Sequence, residues 1–364
     1  SGGRQSLLNH TYPHGRLFNM EVLMNKHRYV CVLVAILTLS FSVFAQPAKE
    51  SKELVVYAYD AFCGDWGPGP AIVEEFEKQY GVKVNLVSAG DAVEMMTKVI
   101  SEAGNPWADV VIGITDDMAQ KMYDANLLQR YESPVLSDIP SFLHFDPLYR
   151  LLPFDYGNFA FVVDTERMKA QDIPTSLASL VDPKYKNKVI LIDPRTSSVG
   201  LGLLLWTIEV FGEDGYLSWW EAMKENALTI TDGWSSAYGL FTEGEAPLVL
   251  SYSTSPVYHV TYEETTRYQT AIFCEGHSTT IEGVGILASS NQKANAQKFV
   301  DYLLTEAQLT IALANSMYPV NSKTELPAAF DYAPKPKKSL SMETEILAKN
   351  LDRWLTEWTQ VMSR

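Results

Sequence analysis

The sequence has 364 residues, enough for two domains that each bury a hydrophobic core. Hydrophobic residues make up 46% of it and charged residues 20%, an ordinary composition for a soluble globular protein. Beyond the first 45 residues the chain carries 25 basic against 43 acidic residues, a net charge of −18. This charge disfavours nucleic acid and anionic membranes as partners and is compatible with attraction of a small cation.

The N-terminal segment has the pattern of a secretory signal peptide. Basic residues follow Met24, and an apolar run of about 15 residues ends at Val43-Phe44-Ala45. The run is too short to span a membrane comfortably, so we expect cleavage and export to the periplasm, with an uncleaved anchor as the alternative. Cys31 lies at the start of the run, which argues against a lipid-anchored cysteine. Residues 1–45 are therefore interpreted as an upstream extension and signal peptide, outside the fold.

The next segment alternates between strand and helix patterns. Strands are predicted at 54–59, 82–87 and 108–113, and amphipathic helices at 71–80 and 91–101. This alternation predicts an α/β domain with a parallel sheet, in which ligands bind beyond the carboxyl ends of the strands. Those ends are at Tyr59-Asp60, the turn around Trp66, Gly90-Asp91 and Gly113.

A long extended segment, 153–163, predicts a strand that crosses into a second domain. There we expect strands at 188–192, 228–231 and 247–252, a helix at 200–211 and a further helix containing Trp219 and Trp220. We expect the chain to cross back to the first domain near 281–288 and to return to the second domain near 317–320. A closing helix, 342–362, is expected to pack on the second domain. The predicted lobes are 46–155 plus 284–316 and 156–283 plus 317–364, each a mostly parallel sheet flanked by helices and joined by hinge crossings.

Two stretches concentrate aromatic faces among hydroxyl groups and glycines. They are Thr231-Asp-Gly-Trp-Ser-Ser-Ala-Tyr-Gly-Leu-Phe241 and Leu250-Ser-Tyr-Ser-Thr-Ser-Pro-Val-Tyr-His259. Stacking faces with neutral hydrogen-bond donors suit a flat, polar, cationic ring. The alternative is a pair of turn-rich core segments with incidental aromatics.

The sequence lacks the spacing of an enzyme or metal site. His144, His259 and His277 are the histidines beyond the signal segment. His259 follows a Ser/Thr cluster and, with Asp155 or Glu282, supplies the residue types of a hydrolase triad, but a triad is recognised by its geometry, which the sequence does not give. No G-x-S-x-G elbow or zinc-ligand spacing occurs, and Gly200-Leu-Gly lacks the dinucleotide fingerprint. We therefore predict no enzyme activity, cofactor or metal. A disulfide between Cys63 and Cys274 is left open.

Several motifs then stand in one collinear series. They are Tyr57-Ala-Tyr-Asp60, Asp65-Trp-Gly-Pro-Gly-Pro70, Pro153-Phe-Asp-Tyr-Gly157, Asp193-Pro-Arg-Thr-Ser197, Gly200-Leu-Gly-Leu-Leu-Leu-Trp206, the two aromatic stretches, Glu275-Gly-His277 and Met317-Tyr-Pro-Val320. With them the chain closely resembles the thiamine-binding periplasmic proteins of bacterial ABC importers, over essentially everything beyond residue 45. The resemblance implies a type II periplasmic-binding-protein fold and a monomer. It also implies capture of thiamine and its mono- and diphosphate for a membrane permease driven by a separate ATPase.

Several residues match the family's ligand positions: Asp91 and Ala92 (where the family has Gly), Ser197, Ser198, Trp234, Tyr252, Ser253, Thr254, Ser255 and Tyr258. Trp234 and Tyr258 are expected to stack on the cationic ring, with Tyr59 and Trp66 as counterparts from the first lobe. Ser316 departs from the family, which carries Trp before the Met-Tyr-Pro-Val motif.

The remaining polar candidates have two interpretations each. Asp91 is expected to accept from the ligand's 4-amino group or to cap the helix it precedes. Ser197 and Ser198 stand at a helix N-terminus that suits phosphate or a hydroxyethyl oxygen, or they only cap it. Other ligands for the same fold are a polyamine or, with less support, ferric ion; an exported hydrolase is the competing class.

Overall fold

The computed structural model describes residues 53–103 and 107–363, so the predicted signal segment lies outside the described residues. The strands are β1 (Glu53–Ala58), β2 (Lys83–Ser88), β3 (Val110–Thr115), β4 (Leu128–Gln129), β5 (Leu152–Asp164), β6 (Val189–Ile192), β7 (Ala227–Thr231), β8 (Leu248–Tyr252), β9 (Tyr268–Ala271), β10 (His277–Leu287), β11 (Tyr318–Pro319) and β12 (Ser339–Leu340).

The α-helices are α1 (Asp60–Cys63), α2 (Gly69–Tyr80), α3 (Ala92–Ser101), α4 (Ala119–Ala125), α5 (Ser198–Met223), α6 (Trp234–Thr242), α7 (Pro256–Tyr262), α8 (Lys293–Leu303), α9 (Gln308–Thr310) and α10 (Thr344–Met362). A π-helical turn, Ile311–Asn315, follows α9. Short 3-10 helices occur at Pro134–Asp138, Ser141–Leu143, Ala170–Asp172, Ala178–Val181, Pro183–Tyr185 and Ala328–Tyr332.

One mixed sheet runs through the described part of the chain in the order β2-β1-β3-β10-β5-β8-β6-β7. Pairing is parallel among β1, β2 and β3 and among β6, β7 and β8, as the alternating strand and helix pattern predicts. The antiparallel strands β5 and β10 join these two parallel groups. The first part of β5 pairs with β10 and its second part with β8, so the long segment predicted to cross is confirmed as one continuous strand.

Residue patterns account for the individual elements. All six residues of β3 are buried, as a parallel strand covered on both faces requires. Helix α2 buries Ile72 and Phe76 on one face, and Gly81 ends it in the left-handed region at φ 65°. Gly212, at φ 69°, interrupts α5 between the two predicted helices.

Aromatic side chains form the centres of the two large cores. Phe62, Phe76 and Phe299 pack around β1 and α2, while Trp206 and Trp220 belong to the core beneath α5. The closing helix α10 packs against α5, where Trp358 meets Trp220 edge to face at 5.6 Å between ring centroids. The contact with α5 agrees with the predicted packing of the closing helix on the second lobe, which stays a prediction together with the lobe boundaries.

Three further observations bear on the sequence predictions. Cys63 and Cys274 are both free thiols. Among the residues that the structure describes, none of the helices is long and apolar enough to cross a membrane. The predicted lobe boundaries fall inside β5 and β10 and just after the π-helical turn, and they stay a prediction.

Candidate ligand-binding site

A cavity of about 320 Å³ opens where several strands end. Tyr59 follows β1, Asp91 follows β2, Ser198 follows β6, Trp234 follows β7, and Tyr252 ends β8. In each case the chain turns into a loop or helix directly beyond a strand, the position at which open α/β sheets bind ligands.

Most of the residues predicted for the site line this cavity. They are Tyr59, Trp66, Asp91, Ser198, Trp234, Tyr252, Ser255 and Tyr258. The other predicted residues, Ala92, Ser197, Ser253 and Thr254, are buried beside these without forming part of the lining.

Three aromatic rings stand together on one side of the cavity; we call Trp66, Trp234 and Tyr238 the aromatic wall. Trp234 stacks on Tyr238 at 4.7 Å between centroids and 20° between planes, and Trp66 approaches Trp234 at 5.6 Å. Trp66 comes from the loop before α2, whereas the other two rings project from α6.

Trp234 is fixed from below by a hydroxyl pair. Its Nε1–H donates to Ser251 Oγ at 2.8 Å, and Ser251 Oγ lies 2.7 Å from Ser255 Oγ. Gly233 is the N-cap of α6, and Trp234 is the first residue of this helix. A ring there has a rigid backbone beneath it.

Asp91 joins two helix N-termini across the cavity. Its Oδ1 accepts from Ala92 N at 2.6 Å within its own capping box, and its Oδ2 accepts from Trp234 N at 2.9 Å. The capping interpretation is therefore confirmed. Burial raises the pKa of Asp91 to about 6, although the hydrogen bonds from the Trp234 and Ala92 backbones oppose this rise.

Helix α5 begins beside Asp91. Ser197 Oγ accepts from Val199 N at 3.2 Å and so caps α5, as the second interpretation of Ser197 held. Ser198, the first helical residue, lines the cavity. The N-termini of α3, α5 and α6 thus meet around one buried carboxyl group, and their partial positive charges favour an anion at this end.

The strand end after β8 contributes hydroxyl groups in different ways. The Tyr252 ring stacks on Phe159 at 5.3 Å, with 26° between the planes. Ser253 Oγ is buried without a hydrogen-bond partner, and Thr254 Oγ1 lies 3.9 Å from Met317 Sδ. Of the three hydroxyl residues, Ser255 reaches the cavity lining.

His259 belongs to a support for the aromatic wall. Its Nε2 lies 2.9 Å from the Tyr238 hydroxyl and its Nδ1 lies 2.5 Å from Glu263 Oε2. Burial lowers the pKa of this imidazole, which favours the neutral ring. Within the described part of the chain, none of the hydrogen bonds links His259 to a serine, to Asp155 or to Glu282. The hydrolase triad considered for His259 is therefore not assembled.

Tyr59 lies beside three residues that sequence reasoning did not assign to the ligand site, Asp155, Glu282 and Asn315; we call these four residues the carboxyl floor. The Tyr59 hydroxyl donates to Glu282 Oε2 at 2.7 Å, and Asn315 Nδ2 donates to Tyr59 Oη at 2.9 Å and to Asp155 Oδ2 at 2.8 Å. Of these only Tyr59 had been assigned to the site. The available signal was a glutamate in the otherwise apolar run Ile281-Glu-Gly-Val284.

The cavity lining is acidic. Asp60, Asp91, Glu263 and Glu282 border it, whereas no lysine or arginine does among the residues that the structure describes. Carboxyl groups beside aromatic faces make a site for a cation with a flat ring. Among the described residues, no group of three or more His, Cys, Asp or Glu side chains is placed to hold a metal ion.

Ser316 also borders the cavity, where the resemblance expects a large ring. It adopts the left-handed region at φ 53°, directly after the π-helical turn. Its Oγ donates to Leu313 O at 3.4 Å. On this side the cavity is therefore bordered by Ser316, a small hydroxyl residue, together with Met317.

The comparisons with known proteins agree with this geometry. The family model described as "Bacterial extracellular solute-binding protein" matches residues 105–350. The "Thiamine-binding periplasmic protein" of Escherichia coli (strain K12) is 39% identical over 326 residues, covering 88% of this chain and 95% of that protein. The protein of the same name from Brucella melitensis biotype 1 is 37% identical over 338 residues, covering 90% of this chain and 98% of the relative.

Solved structures extend the similarity to the fold. A structure titled "Periplasmic thiamin binding protein" superposes with a TM-score of 0.80 at 38% identity, covering 86% of this chain and 96% of the other. The periplasmic binding protein AfuA from Actinobacillus pleuropneumoniae gives a TM-score of 0.74 at 23% identity, covering 86% and 99%, and supports the fold alone. The two-lobed type II periplasmic-binding-protein fold is thereby confirmed.

Proposed function

The chain belongs to the bacterial extracellular solute-binding proteins, and we propose that it captures thiamine in the periplasm and delivers it to the permease of an ABC importer. The observation that carries the proposal is the acidic, aromatic cavity. Thiamine combines an aminopyrimidine with a permanently cationic thiazolium, which is the chemistry that carboxyl groups and tryptophan faces attract. The names of the relatives at 37–39% identity support the same ligand.

The aromatic wall is proposed to hold the rings. Trp234 offers a face already stacked on Tyr238 and fixed through Ser251, so little side-chain entropy is lost when a ring packs against it. Trp66 lies 5.6 Å from Trp234 between ring centroids, and Tyr258 and Tyr252 add aromatic rings to the lining. A cation over such faces gains about 0.5–2 kcal/mol, more when water is excluded.

The helix N-termini are proposed to receive the hydroxyethyl arm and any phosphate on it. Ser198 lines the cavity at the start of α5, and Ser255 adds a hydroxyl group nearby. Asp91 remains a proposed acceptor for the 4-amino group, because each of its oxygens keeps a lone pair beyond the backbone hydrogen bond it accepts. Ala92, Ser197, Ser253 and Thr254 support the site from behind its lining.

The two predicted lobes, 46–155 plus 284–316 and 156–283 plus 317–364, are proposed to close on the ligand about β5, β10 and the segment at residues 316–317. The protein is proposed to act as a monomer after removal of its signal peptide and to bind thiamine without turnover. Delivery then requires a membrane permease and, indirectly, its ATPase.

Calorimetric titration of residues 46–364 with thiamine, thiamine monophosphate and thiamine diphosphate tests the proposal. We expect one ligand per chain and unchanged ligand after long incubation. Absence of binding with all three compounds would reject the function. Preferential binding of a polyamine such as spermidine would replace thiamine with the other candidate cation.

A further inference from the structure

The carboxyl floor places two acids side by side without a countercharge. Asp155 and Glu282 are register partners on the antiparallel strands β5 and β10, so their side chains lie next to each other on one face of the sheet. Neither is accessible to bulk solvent, with relative exposures of 0% and 4%. Two buried carboxyl groups in contact cannot both ionise without a large cost, so the pair holds a proton.

The pair is unequal. Glu282 borders the cavity and accepts the Tyr59 hydroxyl, whereas Asp155 lies behind the lining and has one oxygen, Oδ1, with no hydrogen-bond partner. Burial raises the pKa of Glu282 to about 7, and burial together with the neighbouring Glu282 also raises the pKa of Asp155. A negative charge is therefore better stabilised on Glu282, which faces the cavity and accepts the Tyr59 hydroxyl, while the proton of the pair belongs on the fully enclosed Asp155.

Among the residues that the structure describes, no lysine or arginine borders the cavity beside Glu282 to balance its charge. The titratable groups that face it from the elements packed around it are acids and phenols: Tyr59, Asp91, Asp116, Asp117, Asp155 and Tyr252. A positive charge that binds in the cavity would stabilise the carboxylate form of Glu282 and so favour loss of its proton.

We propose that Glu282 is the countercharge for the ligand's cationic ring and that ligand binding drives a proton off Glu282, while Asp155 keeps the proton it shares with it. The inference rests on the proposed function, since it takes thiamine as the cation. The step is a simple ionisation: the Glu282 O–H bond breaks, its electron pair stays on the carboxylate, and the proton passes to water or buffer. No oxidant or reductant is involved.

The sign of the pH dependence follows. The liganded form favours ionised Glu282, and thiazolium keeps its positive charge at pH values below the pKa of Glu282. Affinity should therefore rise up to tenfold per pH unit in that range. It should level off above that pKa, where Glu282 is already ionised. With a pKa of about 7, binding should release roughly 0.8 proton at pH 6.5 and close to none at pH 9.

Calorimetry in two buffers of different ionisation enthalpy measures this release directly. For residues 46–364 and thiamine, we expect it at pH 6.5 and expect it to vanish at pH 9. Glu282→Gln should abolish it and weaken thiamine about tenfold at pH 8. Asp155→Asn should retain it, because an amide donates to Glu282 in place of the carboxyl proton.

Glu209→Gln is the matched control. Glu209 is a half-buried carboxyl whose pKa burial raises, but it borders a separate cavity of about 100 Å³, and its removal should leave the release intact. A thermal melt of each variant without ligand shows whether the variant is folded. Loss of proton release in a folded variant then reflects loss of the countercharge.

The outcomes separate the inference from the function. Thiamine binding with no proton release at pH 6.5, or with the same release in the Glu282→Gln variant, overturns the inference and leaves the function standing. Equal loss of proton release in the folded Glu209→Gln variant also overturns it. Failure to bind thiamine, its phosphates or any cation overturns both.

Discussion

The aromatic wall and the carboxyl floor form opposite parts of one cavity and are built in different ways. Two of the three wall rings, Trp234 and Tyr238, come from one turn of α6, and the third packs against them. The floor is assembled from residues spread over 256 positions of the chain, after β1, on β5, on β10 and in the π-helical turn. The wall is local in sequence, whereas the floor exists only once the sheet has formed.

Because of this difference, the wall and the floor should contribute to cation binding in different ways. The wall presents pre-packed faces whose attraction for a cation depends little on pH. The floor carries a charge that depends on hydrogen bonds and on burial, so its contribution should vary with pH. Variants in the two regions should therefore fail in different ways.

The largest effect is expected at the wall. Trp234→Ala removes the stacked face, and we expect a loss of roughly 2 kcal/mol or more, about 30-fold in the Kd for thiamine at every pH. Titrations at pH 6.5 and pH 8.5 measure it. Trp107→Ala removes an exposed tryptophan outside the cavity and serves as the control, since its affinity should not change.

Collapse of the unliganded melt in the Trp234→Ala variant, or unchanged thiamine affinity, would show that Trp234 is structural. An intermediate variant, Trp234→Phe, keeps an aromatic face but loses the hydrogen bond to Ser251. Its affinity should lie between those of the wild type and the alanine variant.

A smaller effect is expected at the floor, and it should depend on pH. Tyr59→Phe removes the hydroxyl that stabilises the Glu282 carboxylate, so the pKa of Glu282 should rise. Thiamine should then bind about tenfold more weakly near pH 7, the effect of one hydrogen bond to a charged group of about 1.5 kcal/mol, and recover at higher pH.

Tyr131→Phe is the matched control for this variant, because the Tyr131 hydroxyl donates to Asp301 at the same 2.7 Å outside the cavity. A Tyr59→Phe affinity loss that is equal at pH 6.5 and pH 9 would mean that Tyr59 contributes contact area alone and that the floor does not tune the charge.

Features that are local in sequence could be predicted, whereas features that depend on the pairing of distant strands could not. Helices and strands with strong periodicity, such as α2, α3 and β3, were predicted to within a few residues, since local pattern determines them. The wall could be predicted because Trp234 and Tyr238 are four residues apart on a glycine- and serine-rich stretch. Asp155, Glu282 and Asn315 could not be brought together without the register of β5 against β10, which no local pattern contains.

The smallest ligand effect is expected at the helix N-termini. Ser198→Ala should weaken thiamine monophosphate by about 1 kcal/mol, or fivefold, more than it weakens thiamine, because one charge-assisted hydrogen bond to the phosphate is lost. Ser197→Ala is the comparison. It removes the α5 cap and should lower thermal stability without changing the ratio of the two affinities.

Equal losses for thiamine and its monophosphate in the Ser198→Ala variant would place the phosphate elsewhere in the cavity. An altered affinity ratio in Ser197→Ala would mean that Ser197 reaches the ligand despite its position behind the lining.

The central claim, that this acidic, aromatic cavity binds thiamine, is tested most directly by native mass spectrometry of residues 46–364 isolated from cells without added ligand. A tight periplasmic binder retains its solute through purification, and we predict an adduct with the mass of thiamine or one of its phosphate esters. The adduct should be absent from the Trp234→Ala variant. An adduct of any other mass on the wild-type protein, displaced by no form of thiamine, would contradict the account.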